Sequence, residues 1–247
     1  MLSKTQAKYI QSLDQKKFRS QYGVFIAESP KLVRELLEMQ SFHFSMICAV
    51  PEWLEENDSL IQNANIEQLV SVEVSELAKV SNLKNAHSVL AVVYTNEPEQ
   101  PVLQNKLTLA LDDIQDPGNM GTIIRLADWF GIQNILCSPN CVDIYNPKVV
   151  QSTMASIARV NIIYQDLAEV FSMNKDVPVY AAMLEGTPIS NIESCTNGIL
   201  LIGNEGHGIS DLLLPLISEK ITIPRFGKAE SLNAAIATGI ILSHLVR

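Results

Sequence analysis

Three polar, glycine-rich stretches in the second half of this 247-residue chain hold side chains able to do chemistry. The first, DDIQDPGNMGTIIR over residues 112–125, sets Asn119, Gly121 and Arg125 around the expected start of a helix. Free N–H groups at a helix N-terminus attract anions, and an arginine one turn further in adds a planar fork of donors. A helix capped by Asn119, with Arg125 in a surface ion pair, fits the same residues. The second stretch, IGNEGHGIS over residues 202–210, uses Gly203, Gly206 and Gly208 to let backbone approach a ligand closely. Glu205 is placed to accept from a hydroxyl or to complement a helix N-terminus, and His207 reads as an exposed loop residue. No GK[ST] follows and the glycines are out of GxGxxG register, so this is neither a Walker loop nor a dinucleotide fingerprint. The third, IPRFGKAESLN over residues 223–233, is locally basic through Arg225 and Lys228, which suits a phosphate backbone. Ser231 is the expected cap of the last helix, with Leu232 and Asn233 in its first turn.

Each stretch follows a short apolar run, at residues 107–111, 199–202 and 221–223, of the kind buried on both faces of a parallel sheet. Open α/β sheets bind ligands just beyond such strand ends. Further strands are expected at 134–137, 160–164 and 177–183, and helices at 119–130, 147–157, 166–173 (capped by Asp166) and 231–246. Upstream, helices are expected at 4–19, 30–39 and 75–83 (capped by Ser75), and strands at 24–27, 44–50, 70–74 and 89–94. The one composition break is TNEPEQPVLQNK. The expected division is a small α/β domain at 1–95, a linker at 96–106 and a second α/β domain at 107–247.

Hydrophobic residues at 47% and charged residues at 18% describe a chain that buries a core, which excludes overall disorder. The longest apolar stretch, 234–242, is well short of the roughly 20 residues of a spanning helix, so no membrane partner is expected. The first residues lack an apolar leader core, and a cytoplasmic location is the expectation. Cys48, Cys137, Cys141 and Cys195 form no CxxC and read as free thiols, with no metal site expected. The net charge of −9 is uneven: residues 1–35 carry +4, residues 36–105 carry −8 and the remainder −5. Only the leading segment looks attractive to phosphate.

Taken in this order, Asn119, Gly121 and Arg125, then Gly203, Asn204, Glu205, Gly206 and Gly208, then Ile223, Pro224, Ser231, Leu232 and Asn233 resemble the three motifs of the SpoU (TrmH-like) RNA ribose 2′-O-methyltransferases of the SPOUT superfamily. The first domain resembles, more loosely, the small α/β RNA-binding domain many of these proteins carry. The resemblance implies a trefoil-knotted C-terminal domain with a parallel sheet that binds S-adenosylmethionine in a bent conformation. It also implies a homodimer and methyl transfer to a ribose 2′-hydroxyl of structured RNA, ribosomal ahead of transfer RNA. By carry-over, Arg125 is catalytic, supported by Asn119, Glu205, Ser231 and Asn233. The cofactor is met by Leu184, Gly186, Ile202, Gly203, Ile223 and Leu232, with residues 184–186 as a turn. A guanidinium is a poor proton acceptor, so an orienting and alkoxide-stabilising role for Arg125 is preferred. Two departures stand out: Gln151 replaces an arginine usual before a Ser-x-Gly-Ala-type run in which this chain has Ala155, and residues 27–29 replace a Val-Glu-Gly run. The competing readings are a non-catalytic RNA-binding dimer of the same fold and an ordinary doubly wound nucleotide-binding enzyme.

Overall fold

A buried arginine decides how the chain begins in the computed structural model, which describes residues 1–83, 87–195 and 197–246. Lys84, counted in the acidic segment, lies outside the described residues. Helix α1 (Lys4–Ser12) starts with a capping box in which Ser3 and Gln6 bond each other's backbone. The helix expected over 4–19 breaks after α1, because the Arg19 guanidinium takes the carbonyls of Leu13 and Asp14 at 2.7 and 2.8 Å. A second helix, α2 (Lys16–Tyr22), then ends at Gly23 in the left-handed region, φ +63°. There follow β1 (Val24–Glu28), α3 (Pro30–Glu38), β2 (His43–Ala49), α4 (Pro51–Glu56), α5 (Asp58–Gln62), β3 (Asn65–Ile66), β4 (Leu69–Ser71), α6 (Val74–Leu77) and β5 (Val89–Tyr94). The sheet order is β1-β5-β2-β3, with β4 also pairing β2; β5 is antiparallel to both its neighbours. Helices α4 and α5 were not expected from the sequence. The helix expected over 75–83 shrinks to α6, started by Glu73 rather than Ser75, with the Glu76 carboxylate accepting from Glu73 N at 3.0 Å.

The remaining elements are β6 (Leu107–Leu111), α7 (Pro117–Trp129), β7 (Asn134–Cys137), α8 (Pro147–Thr153), β8 (Asn161–Tyr164), α9 (Leu167–Met173), β9 (Val179–Pro188), β10 (Gly198–Ile202), β11 (Glu219–Thr222) and α10 (Ala234–Leu245). The strands form one parallel sheet, β11-β9-β10-β6-β7-β8. Its central strands β6, β7 and β10 are buried along their whole length, as their unbroken apolar runs require. No helix among the described residues is long and apolar enough to cross a membrane. Cys48, Cys137 and Cys141 are buried free thiols and Cys195 is half-buried.

Contacts divide the chain into Met1–Glu97 with Asp143–Ala155, and Pro98–Val142 with the residues from Ser156 onward. Residues 143–155, which the sequence expectation put in the second domain, thus belong to the first unit. Asp143 is the anchor, ion-paired to the buried Arg19 at 2.6 Å, and Tyr145 stacks on Phe25 with ring centroids 5.0 Å apart. The helix expected over 147–157 stops at Thr153 because Met154 and Ala155 turn left-handed, φ +50° and +73°. Ala155 is fully buried there. A left-handed alanine is strained. Ala155→Gly should therefore stabilise the protein by about 1 kcal/mol, net of glycine's greater unfolded-state freedom, and raise Tm by about 2–4 °C in a thermal melt. An unchanged or lower Tm would show that the strain is relieved elsewhere.

Candidate active site

The order of the parallel sheet reverses between β6 and β10. From β6 the chain steps outward through β7 and β8, whereas β10, β9 and β11 lie on its other side. Loops leaving the carboxyl ends of two such neighbours diverge and leave a crevice. Here those loops carry the first two motifs, and they are stitched together. Asp112 N donates to Ile202 O at 2.9 Å, and the buried Asp112 carboxylate accepts from Ser210 N at 2.7 Å. Asn204 closes its own loop through paired backbone bonds with Gly208, at 2.9 and 3.0 Å. Its side chain donates to Asp113 O and accepts from Gly206 N, both at 2.7 Å. Gly203 is required by space: a Cβ there would lie 2.5 Å from the Gly208 carbonyl carbon.

Helix α7 is capped by Asp116, whose carboxylate accepts from Asn119 N at 2.8 Å. Asn119 is therefore not the cap, and its side chain is released for tertiary contacts. Asn119 Nδ2 donates to Glu205 Oε1, while Asn119 Oδ1 accepts from Asn233 Nδ2 at 2.7 Å. The order of donors is forced from one end. A carboxylate only accepts, so the Asn119 NH₂ faces Glu205 and its oxygen faces Asn233. The Asn233 oxygen is then left for α10, where it accepts from Ala235 N and Ile236 N at 3.0 and 3.2 Å. Asn233, not Ser231, is thus the cap of α10, and the helix expected from 231 begins at Ala234. One residue from each motif loop meets in this chain of side chains.

Arg125 and Ser231 are not part of it. Both are exposed, and neither makes a hydrogen bond or ion pair with a described residue. Arg125 lies on a solvent-facing stripe of α7 with Gly118, Thr122 and Trp129, so the surface ion pair that the sequence allowed is not formed. All five guanidinium donors remain open to a ligand.

Of the residues assigned to the cofactor, Leu184 and Gly186 lie within β9, Ile202 ends β10 with Gly203 next, Ile223 follows β11, and Leu232 stands just before α10. The turn expected at 184–186 is instead an excursion within β9, where the register jumps from Ala181 opposite Lys220 to Thr187 opposite Ile221. Gly186 passes so close to β11 that a Cβ would sit 2.4 Å from Lys220 O. Leu184 is 73% exposed, and its carbonyl accepts from Thr222 Oγ1 at 3.0 Å. Ile202 is buried at the end of β10, Ile223 is half-buried beyond β11, and Leu232 is 47% exposed. Sequence reasoning missed Asp112 and Asp116 and gave Asn204 no task. The available signal was positional: a carboxylate directly after a buried strand, one directly before a proline-led helix, and an asparagine two residues before a glycine.

The family model described as the SpoU rRNA Methylase family matches residues 106–243, and the model of the MRM3-like substrate binding domain matches residues 4–91. The chain is 29% identical to the 23S rRNA (guanosine(2553)-2′-O)-methyltransferase RlmP of Bacillus subtilis, over 94% of this chain and 92% of that protein. It is 32% identical to a tRNA/rRNA methyltransferase of Synechocystis described as uncharacterized, over 95% of this chain and 88% of that one. Its fold superposes on the AdoMet-bound rRNA methyltransferase of Sinorhizobium meliloti with a TM-score of 0.86 at 28% identity, covering 99% and 96% of the two chains. With more than half its length inside the first family model, and with one residue of each motif loop joined at the switch point of its sheet, the chain belongs to the SpoU rRNA methylase family.

Proposed function

We propose that the protein transfers a methyl group from S-adenosylmethionine to a ribose 2′-hydroxyl of ribosomal RNA. The observation that carries this reading is the Glu205–Asn119–Asn233 chain, which joins the three motif loops at the start of the helix that also carries Arg125, an exposed arginine whose side chain bonds no described residue. The relatives named above are rRNA and tRNA/rRNA methyltransferases, and one is AdoMet-bound. The residues present suit that cofactor: exposed Leu184 and Leu232 offer apolar faces to an adenine, and glycines at 186 and 203 let neighbouring backbone close in to shape the loops around it.

When bound, S-adenosylmethionine supplies a methyl group on a sulfonium, already a good leaving group. The chain's own task is then to hold the ribose oxygen in line with that methyl group and to manage the proton it loses. Arg125, always charged, stabilises the developing alkoxide and positions an adjoining phosphate. Glu205 and Asn233 hold Asn119 in place, and Ser231, exposed and with no side-chain partner among the described residues, is available to the substrate.

The same reading includes a homodimer. Helices α7 and α10 pack together, and on their outer faces Trp129, Ile236 and Ile240 are 81%, 56% and 37% exposed. Large apolar side chains grouped on adjoining helices suit a second copy of the chain. It further includes the family's trefoil knot in residues 107–247, a substrate domain at 1–95 joined by a linker at 96–106, and action in the cytoplasm. The test is incorporation of labelled methyl from S-adenosylmethionine into RNA from cells lacking the gene, followed by ribose-methylation mapping. The expected result is one modified 2′-hydroxyl in ribosomal RNA. Cofactor and RNA binding without incorporation into any RNA, intact ribosomal particles included, would replace this reading with the non-catalytic RNA-binding dimer.

A further inference from the structure

The first unit carries an aromatic cluster at its basic edge. Phe18 and Tyr22, one turn apart on α2, hold their rings nearly parallel, 16° apart with centroids at 6.5 Å. Tyr9 of α1 meets Tyr22 edge-on at 5.2 Å. Tyr22, the most exposed ring of the group at 43%, leaves part of its surface open to solvent. The surrounding charge is of one kind. Lys17 Nζ stands 5.9 Å from the Phe18 ring centroid, and Lys4, Lys8, Lys16 and Lys17 are all exposed and ion-paired with no described residue. Asp14 is the one acid among residues 1–22, and Arg19 is already neutralised by Asp143. Glu67, further along the chain, is occupied by the Tyr94 hydroxyl and by His43, each at 3.2 Å.

An aromatic face bordered by uncommitted ammonium groups fits a ligand that offers a flat apolar surface and negative charge together. Paired bases have their faces covered by the stack, whereas unpaired ones present them, with a phosphate on either side. We infer that Tyr22, backed by Phe18 and Tyr9, is a stacking platform for an unpaired base of the RNA substrate, with Lys16 and Lys17 holding the adjoining phosphates. The inference rests on the proposed function for the identity of the ligand as RNA. It also locates RNA binding in a segment that is followed by a strongly acidic one, residues 36–105.

The test uses the full-length protein, a fluorescently labelled oligouridine and a blunt RNA duplex of equal length. Wild type should bind the oligouridine more tightly than the duplex. Tyr22→Ala should weaken oligouridine binding by about tenfold or more, and Tyr22→Trp should restore it. The Lys16→Ala/Lys17→Ala double variant should lower the slope of log affinity against log salt by about 1.4, the share of two phosphate contacts on a single strand. The exposed lysine pair should melt as wild type does, whereas Tyr22→Ala gives up its packing on Phe18 and Tyr9 and should lower Tm by about 2–4 °C, so binding is measured well below the melt. With ribosomal RNA as methyl acceptor, Tyr22→Ala should raise KM and leave kcat unchanged. Equal oligouridine binding by wild type and Tyr22→Ala, or a wild-type preference for the duplex, would overturn the platform. Methyl incorporation by wild type, measured on the same preparation, separates the two readings. Incorporation without Tyr22 dependence sinks only the platform; Tyr22-dependent binding without incorporation sinks the enzyme and leaves the platform standing.

Discussion

Arg125→Ala is expected to reduce methyl transfer to ribosomal RNA by at least about 10²–10³-fold, the cost of removing one group aimed at developing charge. Cofactor affinity and thermal stability should both stay at wild-type values. The reason lies in what Arg125 does not do within its own chain. It is exposed on α7 and bonds no described residue, so its removal leaves no buried partner unsatisfied and no helix uncapped. Its donors are available to the ribose oxygen or a neighbouring phosphate, and a charge that acts on the transition state lowers kcat when removed. Arg125→Lys sharpens the point. It keeps the charge as a single compact ammonium and loses the planar fork, so partial recovery indicates simple charge stabilisation and none indicates bidentate positioning. Parallel measurements of labelled-methyl turnover and S-adenosylmethionine affinity by calorimetry decide the matter. Equal losses in both would mean that Arg125 helps build the cofactor site, and the proposed division of labour would fall.

That division follows from how the other motif residues are spent. Asn119, Glu205 and Asn233 are tied to one another, and Asn233 also caps α10. A side chain holding a helix start and a loop-to-loop bond has little freedom to track a reacting atom. On the proposed function these three set the position of the loops, and Arg125 and Ser231, whose side chains bond no described residue, are left for the substrate.

Much of this was legible along the chain because it depends on neighbours in sequence. Strands β6, β7 and β10 announce themselves as unbroken apolar runs, and Asp166 caps α9 where it was expected, accepting from Ala168 N and Glu169 N. The misplacements share one cause, a distant group competing for a local one. Leu13 and Asp14 would continue α1, but Arg19, itself held by Asp143 from far along the chain, takes their carbonyls. Ser231 and Asn233 are equally good caps by type, and what separates them is that the Asn233 amide has a donor left over for Asn119. Residues 184–186 were expected as a turn from the family resemblance alone, and Gly186 lies instead within β9. That glycine is there because β11 passes alongside it, a contact with no trace in the local pattern. The three motifs were visible as types and spacing; which members touch was not.

Gly203→Ala should be severely damaging for the addition of a single methyl group. The glycine is not needed for its backbone angle, since the left-handed glycine of this loop is Gly208, φ +75°. It is needed because the loop folds back upon it: an added Cβ would meet Gly208 C, Gly208 O and Ile209 N at 2.5, 2.6 and 2.7 Å. All three are backbone atoms, and they are held by the Asn204–Gly208 pair and by Asp112 on Ser210, so no side chain can swing away to make room. The loop must open, which costs about 1–3 kcal/mol in overpacking and moves Glu205 away from Asn119. Expected results are a lower Tm, cofactor binding weakened by at least tenfold, on the order of 1.4 kcal/mol, and turnover lost with it. Two further variants separate space from backbone conformation. Gly208→Ala meets nothing within 4 Å and carries only the left-handed penalty of about 1–2 kcal/mol, so it should lower Tm with a smaller loss of affinity. Gly227→Ala, in the third motif loop, also meets nothing within 4 Å and should bind cofactor and melt as wild type does. If Gly203→Ala behaved like Gly227→Ala, the loop would not be the rigid wall of the site, and the Glu205–Asn119–Asn233 chain would have to be reassigned from positioning to catalysis.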